Sequence, residues 1–239
     1  MISQTSKSNT NPYMINAAAW KMLRDELGSK KVTLVAVSKT KPVPDILEAY
    51  QLGQRDFGEN YVQELVEKQS QLPVDINWHY IGHLQSNKVK FIASFVHLIH
   101  AVDSFKLLLE INKQAAKNNR VIDVLLQLHI TDEETKFGLD ERDIIEFMDY
   151  YEAQKEQLLN VRICGLMGMA TNTDDEQKVR IDFKRIYAGF KNLAQSNFLG
   201  KRYFSVCSMG MSGDYKIAVE EGSNMVRIGS LIFGERQYN

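Results

Sequence analysis

Lys39 follows directly on the run Val32-Thr33-Leu34-Val35-Ala36-Val37-Ser38. Low-dielectric surroundings disfavour an ammonium ion, and the neutral amine is the nucleophile that forms Schiff bases with carbonyl compounds. A strand-end lysine can equally lay its stem on apolar surface and keep its head in water. The residue alone leaves both readings open. Near the other end of the chain lie Ser208-Met209-Gly210-Met211-Ser212-Gly213-Asp214 and Gly229-Ser230. Glycines let a backbone approach an anion closely, and Ser208, Ser212 and Ser230 add hydroxyl donors. A helix starting after Ser212 would aim N–H groups at the same place, which is phosphate-binding chemistry. Gly210 and Gly213 could also do no more than shape a turn. Arg227 precedes Gly229 by two residues, so the two share one strand face. Its guanidinium stays protonated. It could pair with a carboxylate such as Glu221, or donate to a pyridine nitrogen.

Such residues need a frame that brings chain ends 190 residues apart to one place, and the hydropathy pattern supplies one. Strands are expected at 32–38, 55–60, 77–82, 96–103, 121–130, 161–170, 203–208 and 224–229. Helices are expected at 44–53, 61–71, 87–94, 104–119, 140–159, 175–195 and 215–221, with a final turn beginning in 231–237. An extra helix over 12–27 precedes the first strand. Most of the strands are continuous apolar runs, as expected when both faces of a parallel strand are covered. Eight βα units in this length predict an α/β fold, a single TIM (β/α)8 barrel. A doubly wound open sheet is the alternative, but the first strand runs into Ser-Lys-Thr-Lys-Pro and not into a glycine-rich turn. In a barrel, function sits at the C-terminal ends of the strands, and the loops after strands 7 and 8 recurrently bind phosphate. That places Lys39, Gly58-Glu59-Asn60, His79 with Gly82-His83, Ser208 and Arg227 to Ser230 around one mouth. Residues 1–11 read as a flexible tail and 12–239 as one domain.

Composition narrows the function classes. With 29 basic and 30 acidic residues, the chain has no general pull toward nucleic acid. The first residues, Met1 to Tyr13, lack the apolar core of a signal peptide, and no run matches a membrane span. Cys164 and Cys207 lie in apolar stretches and read as reduced core residues rather than a disulfide framework. These features together predict a cytoplasmic protein. No metal site is expected.

Seven stretches carry a specific resemblance: LVAVSKTKP (34–42), DFGENYVQE (56–64), WHYIGHLQSNK (78–88), KFGL (136–139), GLMGMA (165–170), FSVCSMGMSGDY (204–215) and VRIGSLIFGER (226–236). In this order the sequence resembles the pyridoxal 5′-phosphate (PLP) homeostasis proteins of the YggS type, from about Tyr13 to Arg236. The resemblance implies a fold-type III PLP barrel akin to the N-terminal domain of alanine racemase. It implies PLP held covalently, as a Schiff base, on Lys39. It puts phosphate contacts at Ser208, Gly229 and Ser230 and the pyridine-nitrogen contact at Arg227, with Asn60 and His79 in the cofactor mouth. No residue is assigned a catalytic role.

The family resemblance implies a PLP carrier or regulator of vitamin B6 balance, with amino acids or PLP-dependent apo-enzymes as partners. A slow amino-acid racemase is the alternative. Racemisation needs acid–base groups on both faces of the substrate. In alanine racemase one of them comes from a second domain and a partner subunit. The chain ends at Asn239, directly after the barrel, so that domain is expected to be absent.

Overall fold

The computed structural model describes residues 15–130 and 137–235. The tail at 1–11, the start of the helix expected at 12–27, and Lys136 and Arg236 of the resembling stretches lie outside the described residues.

Eight strands close into a barrel. They are β1 (Thr33–Val37), β2 (Asp56–Glu59), β3 (Asn77–Tyr80), β4 (Leu98–Val102), β5 (Ile122–Gln127), β6 (Val161–Met167), β7 (Val206–Ser208) and β8 (Met225–Ile228). Each pairs in parallel with the next, and β8 pairs with β1 through Val35↔Arg227 and its neighbours. Around them run α1 (Ala17–Ser29), α2 (Val43–Gln51), α3 (Val62–Gln69), α4 (Val89–Ile92), α5 (Phe105–Lys117), α6 (Glu141–Gln154), α7 (Glu176–Gln195), α8 (Tyr215–Glu220) and α9 (Ser230–Phe233). The TIM barrel read from the hydropathy pattern is the observed fold.

Side-chain alternation explains why the strands are apolar throughout. Leu34 and Ala36 belong to the large core between sheet and helices, with Ile46, Phe57 and Leu65. Val35 points the other way, into a smaller cluster inside the barrel with Leu98, Leu125, Cys164 and Met225. The same parity continued past β1 turns Val37 and Lys39 inward. Both cysteines are buried and free.

Several boundaries differ from the expected ones, each for a local reason. Asn16 accepts a hydrogen bond from the Ala19 N–H and caps α1, which begins at Ala17. Trp20 of this helix donates to Gln54 at 2.9 Å, and Gln54 donates to the carbonyls of Leu34 and Asp56, which staples α1 to the barrel. The helix expected at 87–94 is a 3₁₀ turn, Ser86–Lys88, running into α4. The helix expected at 140–159 gives way after Gln154 to a 3₁₀ turn, Lys155–Gln157. The strand expected at 203–208 pairs only from Val206, because Phe204 is stacked on Phe198 with ring centroids 4.2 Å apart. Among the described residues no helix is long and apolar enough to cross a membrane.

Candidate functional site

At the C-terminal end of the barrel a cavity of about 290 Å³ is lined by Lys39, Asn60, Ser212, Arg227, Gly229 and Ser230, among others. That volume lies near the lower end of the roughly 300–1,000 Å³ of small-molecule sites. The closed barrel brings Lys39 and the segment from Ser212 to Ser230 to one cavity.

Lys39 sits half-buried where β1 gives way to a sharp turn. Thr40, the next residue, has φ +64°, a left-handed conformation that few non-glycine residues adopt. A buried polar cluster holds this turn. The Thr40 N–H donates to Glu64 at 2.6 Å. The Ser38 hydroxyl donates to Glu59 at 2.5 Å, and the Lys68 ammonium donates to Glu59, Glu64 and the Ser38 carbonyl at 2.7–2.8 Å. Burial pushes the Glu59 carboxyl above its ordinary range, against the pull of Lys68 and Ser38. Sequence reasoning missed this cluster. Its one legible sign is the Glu64–Lys68 pair, four residues apart on α3.

Arg227 is 5% exposed. Its Nη1 donates to the Ser208 carbonyl (2.9 Å) and hydroxyl (2.7 Å), and its Nη2 to the Gly168 carbonyl (3.1 Å). Three of five guanidinium donors are thus held by the barrel, which leaves capacity toward the cavity that Arg227 lines. Burial lowers its pKa to about 10, still protonated at neutral pH.

Two residues expected in the mouth lie below it. Ser208 is fully buried beneath Arg227, and its hydroxyl faces His100 at 3.3 Å. His79 is buried inside the barrel, with Nδ1 at 2.9 Å from His100 and Nε2 at 3.0 Å from Asp56. Neither lines the cavity. The serines that do are Ser212, whose hydroxyl accepts from the Gly229 N–H at 3.3 Å, and Ser230. The reason is strand geometry: β7 is three residues long, and the chain climbs back to the rim only after Gly210, at φ +98°.

Three features fit a phosphorylated carbonyl ligand. An amine and a hydroxyl-and-glycine cradle line the same cavity. Gly229 lets the end of β8 pack against β1, since a Cβ there would stand 3.0 Å from the Val37 carbonyl oxygen, and so keeps the serine-bearing turn beside Lys39. The buried Asn60 Oδ1 has no hydrogen-bond partner among the described residues. Asn60 is fixed from behind, where Tyr80 donates its hydroxyl to the Asn60 and His83 carbonyls.

The fold is a single closed parallel barrel, with Lys39 after strand 1 and Ser212, Gly229 and Ser230 after strands 7 and 8 lining one cavity. Residues 17–237 match the family described as alanine racemase, N-terminal domain. The chain belongs to this family and, within it, to the pyridoxal phosphate homeostasis proteins. It is 39% identical over 212 residues to the pyridoxal phosphate homeostasis protein of Aquifex aeolicus, covering 88% of this chain and 90% of that one. It is 36% identical to the protein of that name from Escherichia coli, covering 94% and 93%. The structure of PipY from Synechococcus elongatus with PLP bound superposes with a TM-score of 0.81 at 35% identity, covering 91% of this chain and 99% of that one. Alanine racemase from Streptomyces coelicolor shares the fold at 16% identity, with a TM-score of 0.68 over 91% of this chain and 58% of that one.

Proposed function

We propose that this protein binds PLP in the mouth of the barrel, as a Schiff base on Lys39, and serves PLP homeostasis in the cytoplasm as a carrier without rapid turnover. The observation that carries the reading is the shared lining: Lys39 lines the same cavity as Ser212, Gly229 and Ser230. In it Lys39 supplies the amine, Gly229, Ser212 and Ser230 hold the phosphate, and Arg227 donates to the ring nitrogen. The unpartnered Asn60 oxygen accepts from a ring substituent. Ser208 and His79, named from the resemblance as direct contacts, act from behind Arg227.

Bound PLP supplies an electron sink. Two features argue for holding over turnover. A protonated arginine at the ring nitrogen weakens that sink, and Arg227 keeps its proton at neutral pH. Among the described residues, the cavity lining contains no carboxylate, histidine or tyrosine to serve as a second acid–base group, and its second lysine, Lys41, turns its ammonium to the Glu235 carbonyl at 3.1 Å. Amino acids, which can exchange with the lysine, and apo-enzymes that accept PLP are the partners of this reading.

The test is a pair of measurements on full-length protein. Wild type should keep its PLP chromophore through desalting, and Lys39→Ala should lose it. Deuterium exchange at the α-carbon of L- and D-amino acids, followed by NMR, should stay well below about 1 s⁻¹, the slow end of ordinary enzyme turnover. Faster exchange would favour the racemase reading over the carrier.

A further inference from the structure

The opposite, N-terminal end of the barrel carries a second constellation. Asp56 opens β2, His79 lies in β3, and His97 stands immediately before β4. Each offers one ligand atom, and the three atoms lie within 4.8 Å of one another. His79 Nε2 and Asp56 Oδ1 are 3.0 Å apart, and the His79 and His97 rings have centroids 5.3 Å apart. In a tetrahedral zinc site with bonds of about 2.0–2.2 Å, ligand atoms stand roughly 3.4 Å apart. Two of the three are therefore already close enough. The third, His97, is exposed, so its ring can turn without disturbing the core.

We propose that Asp56, His79 and His97 bind a divalent transition-metal ion of the Zn²⁺ type, clipping together β2, β3 and β4 at the end of the barrel remote from Lys39. The donor set of two imidazoles and one carboxylate suits such ions and leaves a coordination position for water. The two inner ligands are oriented from behind, as metal ligands are in built sites. His79 Nδ1 faces His100 Nε2 at 2.9 Å, so Nδ1 can hold the ring proton and donate it to His100 while Nε2 serves as the ligand atom. Asn77 donates to Asp56 Oδ1 at 3.2 Å. The neighbouring carboxylate, Asp123, is engaged by Arg162 through two bonds of 2.7 Å and does not compete for the ion. The three ligands are too far apart in the chain to form a sequence motif, so the site was not expected from sequence.

The test is calorimetric titration of tag-free, full-length protein with ZnCl₂, repeated with CoCl₂ to read the visible band of tetrahedral cobalt. Wild type should bind one equivalent of each ion and rise in melting temperature with Zn²⁺. His97→Ala changes an exposed residue and should keep the fold, but bind at least tenfold more weakly and lose the thermal shift. His83→Ala removes another histidine paired with a carboxylate, Asp103, and should titrate like wild type. Equal binding by wild type and His97→Ala, or no saturable binding by wild type, would overturn the proposal. A loss confined to His83→Ala would do the same.

Discussion

The Arg227 guanidinium donates to the Ser208 hydroxyl at 2.7 Å, and this bond heads a polar chain through the centre of the barrel. Ser208 faces His100 Nδ1, His100 Nε2 faces His79 Nδ1, and His79 Nε2 faces Asp56. With no ion on His79 Nε2, one proton order uses every donor once. Arg227 donates to Ser208, Ser208 to His100, His100 to His79, and His79 to Asp56. Burial holds the His100 pKa well below the ordinary histidine value, so its ring carries a single proton, as this order requires. Burial is the strongest single influence on Asp56 and works against its charge, but the hydrogen bonds from His79 and Asn77 and the proximity of His79 and His97 together keep the carboxyl below its usual pKa. The cavity floor is therefore a satisfied network rather than a loose arginine, and each link can be tested.

Ser208→Ala and Ser230→Ala should differ in kind. Removing the Ser208 hydroxyl leaves Arg227 and His100 each short of a partner, at a cost of about 1–3 kcal/mol in unfolding free energy. It should not change the preference for PLP over unphosphorylated pyridoxal. Ser230→Ala should leave stability nearly unchanged and weaken PLP roughly ten- to hundredfold, with little effect on pyridoxal. Urea unfolding and equilibrium binding of the two ligands check both. A loss of phosphate preference in Ser208→Ala alone would return that serine to the mouth.

Both thiols should be silent in the folded protein. Burial pushes the pKa of Cys164 and of Cys207 up to about 12, and Cys207 is fully inaccessible. Thiolate is the reacting form, so a disulfide reagent at neutral pH should label neither cysteine until the protein unfolds. Both should then react at the rate of free cysteine. Rapid labelling of the native protein would contradict the packing described for β6 and β7.

Glu59 gives a pH signature. Its folded pKa is raised above the unfolded value of 4.5, chiefly by burial. Between those values the folded protein holds a proton that the unfolded chain has released. Its contribution is thus fully present below pH 4.5 and is lost as pH rises through the folded value. Glu59→Gln cannot titrate. The stability of wild type relative to this variant should be greatest at acid pH and fall toward neutrality, as read by urea midpoints across that range. A difference that grows with pH would mean that Lys68 and Ser38, not burial, govern this carboxyl.

Most of the frame was legible because parallel strands buried on both faces must be apolar, and eight such runs alternate with amphipathic helices. The mouth was legible in part. Parity is a local property, so the inward turn of Lys39 after Val35 and Val37 follows from counting residues along one strand. Height within the barrel is not local. Ser208 and Ser212 look equivalent in sequence, yet one ends a three-residue strand below Arg227 and the other lies on the rim beyond Gly210. His79 likewise points inward but lies beneath the rim, against His100 and Asp56. The Glu59–Lys68 cluster and His100 were invisible because their partners come from other strands and helices.

Borohydride reduction of PLP-loaded protein followed by peptide mapping tests the proposed Schiff base on Lys39 most directly. Reduction turns the Schiff base into a stable amine link, so the labelled lysine can be read by mass spectrometry. The pyridoxyl group should be found on the peptide containing Lys39. Lys41 should carry little of it, since its ammonium is turned to the Glu235 carbonyl at 3.1 Å. A label mainly on Lys41 or on a lysine outside the mouth, with Lys39 unmodified, would contradict the site described here.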